Sequence, residues 1–559
     1  MNRIALWTVA SFLLVPFTAH ACLQTWHILA GTSSPTGKWR SRATYILSGL
    51  LLKVQYDLFV KLTLELRARR LGCLPAKLYP HKDPVLGLDY FFKALRAAGA
   101  GQFFPFAREN LKTIGHTHYA MALGTWVLHT DEPENIKSIL ATDFDSWEIA
   151  GPRLLPVLDV LGPKSIFTSN GEGWHQARSM LRPSFVRDQV ADLACFDRHI
   201  SHLLKKIRSS CQEGMVAFDL QKLFFLMTMD SSTDFLLGRS TDLLVKASPE
   251  AEDFLRAFDY VLFQGAKMAR LGPIMMKLPH RKFDAEVQTV RSFVRKYVSK
   301  AMAEKGYQKE RSYLFLHELV ASGASVEYIT DQVLSIILAG RDTTAAALAA
   351  AFYFLSKSPD IVDKLRQEML EMGEENPDWE TLRGMKYLQN VIKEGKFSQK
   401  IWSWDETTLL LTPSRVFPAL RLAPPVATNS RTSCKETTLP RGGGPDGKSP
   451  VLIPKGTSCR WSNYSAYRRA DIYGPDADEF RPERWEDLRV AWEYTPFSGG
   501  PRICIGQQFA LTQMSLAIFR ILQNFDKIKS KNEGPMGMRA GVTVSLADPG
   551  CLVSMTPIA

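Results

Sequence analysis

The chain has 559 residues, 45% hydrophobic and 23% charged, with a formal net charge of +12, a composition that supports a large core and excludes a disordered or collagen-like polymer. Its eight cysteines, at 22, 73, 195, 211, 434, 459, 504 and 551, form no CxxC pair, which argues against a zinc site or disulfide framework and for a reducing, cytosol-facing environment. Ten Lys/Arg lie between Lys38 and Lys82 against two acids, Asp57 and Glu65; they directly follow an apolar segment, so a membrane-surface patch is favoured and no nucleic-acid partner is expected.

Residues 1–30 are largely apolar from Ile4 onward, and a span of about 20 such residues crosses a bilayer. An uncleaved membrane anchor is expected, single-pass, with the basic flank holding the C-terminal side of the segment in the cytosol. The rival is a cleavable signal peptide, with Arg3 ahead of the apolar run and Ala19-His-Ala21 as its cleavage site. Residues 31–88 read as an amphipathic helix followed by a basic, proline-containing linker. From Thr44 to Leu66 the charges Lys53, Asp57, Lys61 and Glu65 recur every four residues and form one polar stripe. Arg67-Ala-Arg-Arg70 then leads to Pro75, Pro80 and Pro84.

Residues 89–559 show no internal repeat and no low-complexity boundary, and read as one large, mainly α domain with a minor β portion. Strand-like runs occur at Ala120 to His129 and after 420, where Gly442-Gly-Gly-Pro-Asp-Gly447 reads as a hairpin-like turn and Val544 to Gly550 as a hairpin whose tip could touch substrate. Trp174 and Arg178 stand four apart, hence on one helical face, and both donate hydrogen bonds suited to a carboxylate. Between 218 and 300, clusters of Phe, Leu and Met suit the roof of an apolar pocket. Ser335-Ile-Ile-Leu-Ala-Gly-Arg-Asp-Thr-Thr344 sets small residues, then an acid and hydroxyls, inside an apolar helix. Gly340 alone costs that helix about 1 kcal/mol against Ala. Asp342 and Thr343 are an acid–alcohol pair of the kind that relays protons.

Near the C-terminus stands Phe497-Ser-Gly-Gly-Pro-Arg-Ile-Cys-Ile-Gly506, followed by a helical pattern. Glycines allow close approach of the backbone to a flat object. A thiolate just ahead of a helix N-terminus is stabilised by free N–H groups, as an anionic sulfur ligand to haem iron requires. The spacing F-x-x-G-x-R-x-C-x-G resembles the haem-binding loop of the cytochrome P450 family, with every position filled. Leu71 to Phe92 and Leu420 to Arg431 are most similar to the fungal cytochromes P450 that hydroxylate alkanes and fatty acids.

The resemblance implies haem b with Cys504 as the iron ligand and Phe497, Gly500, Arg502 and Gly506 shaping its loop. Trp174, Arg178, Arg431 and Arg502 would hold the propionates. Ala339 and Gly340 would make room over the haem, with Asp342 and Thr343 as the proton relay. It also implies an endoplasmic-reticulum membrane protein with a cytosolic haem domain. NADPH-cytochrome reductase would be its electron donor, since the chain carries no dinucleotide fingerprint of its own. A hydrophobic small molecule is the expected substrate, with terminal hydroxylation of long alkanes or fatty acids as the reaction. Oxidation of a secondary metabolite is the alternative.

One family signature is interrupted. E-x-x-R forms a buried pair that joins a downstream arginine, here Arg484 in Phe480-Arg-Pro-Glu-Arg484. Glu380-Thr-Leu-Arg383 fits the letters but precedes the right helix, so Glu394 is expected to start the motif and Arg421 to end it. Removing residues 395–418 joins them as Glu-Ala-Leu-Arg. Those 24 residues are expected to be a retained intron or gene-model error; pairing Glu394 with Arg415 is the alternative. A haem-thiolate isomerase or dehydratase, and an inactive splice product, are the readings from other classes.

Overall fold

The computed structural model describes residues 63 and 65–558, apart from 152–153, 155–156, 186–192, 213–216, 272–274, 276–277, 304–314, 374–375, 394–395 and 398–418. The expected membrane anchor and nearly all of the amphipathic segment lie outside the described residues. The remainder is mostly helical with a minor sheet portion, as the residue pattern predicts.

In chain order the elements that position the site are β1 (Lys77–Leu78), α1 (Leu88–Gly99), α2 (Phe103–Ile114), β2 (Thr117–Ala122), β3 (Thr125–Thr130) and β4 (Trp147–Glu148). The helices α3 (Gly171–Leu181), α4 (Ala194–Gln212), α5 (Leu220–Leu237), α6 (Pro249–Arg270), α7 (Arg281–Ala303) and α8 (Val326–Leu355) follow. Then come α9 (Lys386–Lys393), α10 (Ala419–Leu422), β5 (Thr428–Ser433), β6 (Ser458–Ser462), α11 (Gln507–Asn524), β7 (Met538–Ala540) and β8 (Val544–Leu546).

Helix α8 is the axis of the domain. Ser325 caps it by accepting the Tyr328 N–H, and Glu327 complements the helix dipole in the first turn. The helix is predominantly apolar around its circumference and mostly buried rather than laid on a surface. Among the described residues it is the helix long and apolar enough to cross a membrane, yet it runs through the protein interior. Two apolar clusters flank it, one built with α4, α5 and α11, the other with α6 and α7.

Helix α5 packs along α8 and shows how a buried helix keeps its polar groups satisfied. Thr228 Oγ1 donates to the Arg341 carbonyl at 3.0 Å. Buried Asp230 accepts from Thr241 Oγ1 and from the amides of Leu243 and Leu244, at 2.7, 2.8 and 3.0 Å. Helix α8 continues unbroken through Gly340, and its packing explains that glycine. A Cβ at 340 would stand 2.9 Å from Ser232 Oγ on α5, so a larger residue would push the helices apart.

Six strands form one sheet in the order β1-β2-β3-β6-β5-β4. Arg460 on β6 pairs with His129 on β3 and Ser430 on β5, while Cys459 pairs with Leu128 and Arg431. Side chains alternate along a strand, so Arg460, His129 and Ser430 share one face and Arg431 shares the other with Cys459. The edge strand β1 and buried Cys73 belong to this body. The segment expected as linker therefore contributes its last part to the fold.

The glycine-rich turn expected at Gly442 joins antiparallel strands Thr437–Gly443 and Ser449–Ile453. The C-terminal hairpin differs from expectation. Its strands are β7 and β8, so its tip is at 541–543, ahead of the expected 544–550. Two-strand pairing begins before the Asp-Pro-Gly turn signal, which instead leads into Leu552–Pro557.

Candidate functional site

The Cys504 loop is folded around steric demands that only glycine meets. Gly500 has φ of 63°, and a Cβ there would lie 1.8 Å from the Leu140 carbonyl oxygen. The Cys504 amide donates to the Phe497 carbonyl at 3.0 Å, closing the loop. Gly506 then stands at the N-cap of α11. Cys504 is exposed, and the space it faces is an internal cavity. Burial pushes its thiol up, while the Gly506 N–H and the Arg178 guanidinium pull the other way. Those two groups favour the thiolate once a metal replaces the proton.

The cavity measures about 930 Å³ and is mostly apolar. Trp174 and Arg178 reach it from α3, Arg431 from β5, and Phe497, Arg502 and Gly506 from the loop. Trp174 is the platform of this corner: the Arg502 and Arg178 guanidinium carbons lie 4.4 and 5.8 Å from its ring. Arg178 Nη1 donates to the Ile503 carbonyl at 2.8 Å and so ties α3 to the cysteine loop. Arg502 Nη2 donates to the Ser169 carbonyl and to Asn170 Oδ1, at 2.9 and 3.1 Å. Arg431 Nη1 donates to the Ser430 carbonyl at 2.9 Å. No Asp, Glu or Lys lines the cavity among the described residues. A sulfur ligand, an apolar slot and three arginines fit a flat metal macrocycle bearing two carboxylates.

From α8, Ala339, Gly340, Thr343 and Thr344 line the same cavity. Thr343 Oγ1 donates to the Ala339 carbonyl at 2.6 Å, a bond one turn back. Asp342 is adjacent in sequence but faces elsewhere. Its Oδ1 accepts from Arg341 Nη1 at 2.9 Å, and its Oδ2 accepts from Thr543 Oγ1 at 2.9 Å. Arg341 also pairs with Asp259 on α6 at 2.7 Å. Burial pushes the Asp342 carboxyl up, opposed by Arg341 and the Thr543 hydroxyl. Thr543, at the hairpin tip, does line the cavity, so Asp342 reaches that space through Thr543. Sequence reasoning missed this contact, and no local signal joins residues 201 positions apart.

Behind the cavity, Arg421 is fully buried. It donates through Nη1 to the carbonyls of Tyr467, at 2.9 Å, and Ala477, and through Nη2 to Glu479 at 2.8 Å. Arg484, also buried, pairs with Asp476 Oδ1 at 2.6 Å and donates to the Asp476 carbonyl at 2.7 Å. Both arginines thus grip the segment 467–479. Glu394 lies outside the described residues. Glu380 and Arg383 are exposed, so that pair does not brace the interior.

Comparison with known proteins agrees with this geometry. The Cytochrome P450 family matches residues 84–395 and 408–551, and the gap between falls inside the 395–418 segment. The chain is 38% identical over 478 residues to cytochrome P450 monooxygenase FPY7 of Fusarium mangiferae, covering 83% of this chain and 86% of that protein. It is 36% identical over 485 residues to cytochrome P450 monooxygenase himC of Aspergillus japonicus, covering 85% and 82%. It is 36% identical over 531 residues to cytochrome P450 52A5 of Candida maltosa, covering 90% and 94%. Its loop, its cavity and its relatives together place the chain in the cytochrome P450 family, as a monooxygenase.

Proposed function

We propose that the chain hydroxylates the terminal carbon of a long aliphatic molecule. The observation that carries this reading is the cavity: mostly apolar, without acidic residues among the described ones, and with the Cys504 sulfur facing into it. Similarity to the 52A proteins supports it, as does the resemblance of Leu71–Phe92 and Leu420–Arg431 to the fungal cytochromes P450 that hydroxylate alkanes and fatty acids. Haem iron, held by Cys504, supplies the oxygen chemistry when bound. Arg178, Arg431 and Arg502 hold its carboxylates. Phe497, Ile336 and Val544 exclude water from the slot, and Thr343, with Asp342 acting through Thr543, holds and moves protons at the cavity wall. Electrons come from an NADPH-dependent reductase, and the N-terminal segment anchors the enzyme to the endoplasmic reticulum.

Residues 395–418 are proposed to be absent from the active form, a retained intron or gene-model error; the break in the family match supports this. The test compares the chain as written with a version lacking Gly395–Pro418. Each is examined by the reduced, carbon-monoxide difference spectrum and by turnover of dodecane and dodecanoic acid. A thiolate-type band only in the shorter form assigns the function to that form. Turnover of neither substrate by a protein that shows the band defeats the aliphatic reading.

A further inference from the structure

Five arginines line the cavity: 178, 270, 431, 460 and 502. Three of them, 178, 431 and 502, are accounted for by two macrocycle carboxylates. Arg270 and Arg460 are not. Arg460 projects from the sheet face opposite to that of Arg431, so it does not belong to the same cluster. Among the described residues its side chain makes no hydrogen bond and no ion pair, although it is half-buried on the cavity wall. Arg270, the exposed last residue of α6, donates to the Ala540 carbonyl at the hairpin and is close enough to Arg460 for the two charges to repel. Tyr90 of α1 faces the same space, and its hydroxyl has no hydrogen-bond partner among the described residues.

Such an arrangement is costly without a ligand. A buried charge lacking a counter-charge is among the least favourable groups in a protein. Here two arginines and a phenol, all hydrogen-bond donors, line a mostly apolar cavity with no Asp or Glu among its described lining residues. Burial pushes Tyr90 up to about 12 despite the attraction of Arg460, so its hydroxyl keeps its proton at neutral pH and remains a donor. Burial, with His118 and Arg460, also holds neighbouring His129 neutral, which adds no third positive charge. The missing partner is an anion.

We propose that Arg460, Arg270 and Tyr90 form a subsite for the carboxylate head of an amphiphilic substrate, and so select fatty acids over alkanes and alcohols of equal length. This rests on the aliphatic reading above and sharpens it. A planar guanidinium binds a carboxylate bidentately, and charge-assisted bonds of this type are the strong ones. With the head held between α1, the sheet and the end of α6, the chain runs along the apolar wall and presents its far end towards Cys504. Neither arginine stands in a sequence pattern that marks it; only the strand alternation and the cavity bring them together.

The experiment takes the haem-loaded form that shows the thiolate-type band as the unaltered chain and titrates it with dodecanoic acid, methyl dodecanoate and dodecan-1-ol, following the haem absorption shift, beside its Arg460→Gln, Arg460→Lys and Arg270→Gln variants. The expected result is preference for the acid in the unaltered chain. Arg460→Gln then lowers acid affinity roughly 10- to 100-fold, leaves ester and alcohol within about twofold, and Arg460→Lys recovers part of the loss. Unchanged ester affinity shows that the variant is folded. Equal affinity for acid and ester in the unaltered chain, or a parallel loss of both in Arg460→Gln, overturns the subsite while the aliphatic reading stands. Loss of haem from Arg460→Gln also overturns it, by placing Arg460 with the macrocycle arginines. Binding of none of the three molecules by the unaltered haem protein overturns both.

Discussion

Arg421 is fully buried and Arg460 half-buried on the cavity wall, and they are held in opposite ways. Arg421 spends its donors on three backbone carbonyls from the segment 467–479. Arg460 shares a mostly apolar cavity with another arginine and a phenol, and among the described residues its side chain has no hydrogen bond and no ion pair. The first has partners within the fold and braces it; the second awaits a partner from outside. Buried charge by itself therefore says little about role. What distinguishes structure from recognition here is whether the donors are already satisfied.

Substitutions sharpen or break this comparison. The largest effect is expected away from both arginines, at Cys504. Cys504→Ala removes the iron's sulfur ligand, and the reduced carbon-monoxide spectrum should lose its thiolate-type band entirely, with monooxygenase turnover. Arg421→Leu should come next, because three backbone carbonyls, two of them buried, lose their donor; about 3 kcal/mol of stability is expected to go, read as a lower urea midpoint. If that midpoint does not move, the distinction between bracing and waiting arginines fails.

Intermediate effects are expected along the proton path. Asp342→Asn should slow turnover by roughly 10²-fold, the scale of a lost general acid, without lowering haem content. Thr543→Val removes a hydrogen bond that lowers the Asp342 carboxyl. The pH at which Asp342 ionises should therefore rise further, and the corresponding limb of the pH–rate profile should move to higher pH. A profile unaltered by Thr543→Val would separate the hairpin from the relay. The smallest effect on stability is expected at Arg460 itself. Arg460→Gln gives up no internal bond, so its urea midpoint should stay within about 0.5 kcal/mol of the unaltered chain. A large loss there would mean that Arg460 braces the fold as Arg421 does.

The most legible part of the site is the part written contiguously. The cysteine loop carries its ligand, its glycines and the start of α11 within ten residues, so spacing alone exposes its chemistry. Ala339, Gly340 and Thr343 are legible for the same reason, and they do line the cavity. The hidden features depend on contacts between distant residues. Adjacency pairs Asp342 with Thr343, while the hydrogen bond of Asp342 goes to Thr543 on a hairpin. Gly340 reads as clearing space for the haem, and its Cβ is also forbidden by Ser232 across the helix pair. Arg460 sits in a strand of ordinary composition, where nothing local shows which face it occupies. The edge strand β1 is hidden among prolines that read as a linker.

Arg421 also bears on how much the 395–418 segment costs. The three carbonyls it grips lie downstream of it, 46 to 58 residues along the chain. None of those contacts requires the chain before residue 419 to have any particular length. With residues 395–418 present, the tether between Glu394 and Arg421 grows from two intervening residues to 26. Treated as free chain, that roughly tenfold lengthening adds only about 2 kcal/mol of closure entropy. The larger penalty is one of register, since two positions one helical turn apart no longer share a rigid rod. The back wall of the domain is thus insured by Arg421 against a change in chain length that its helix α9 is not.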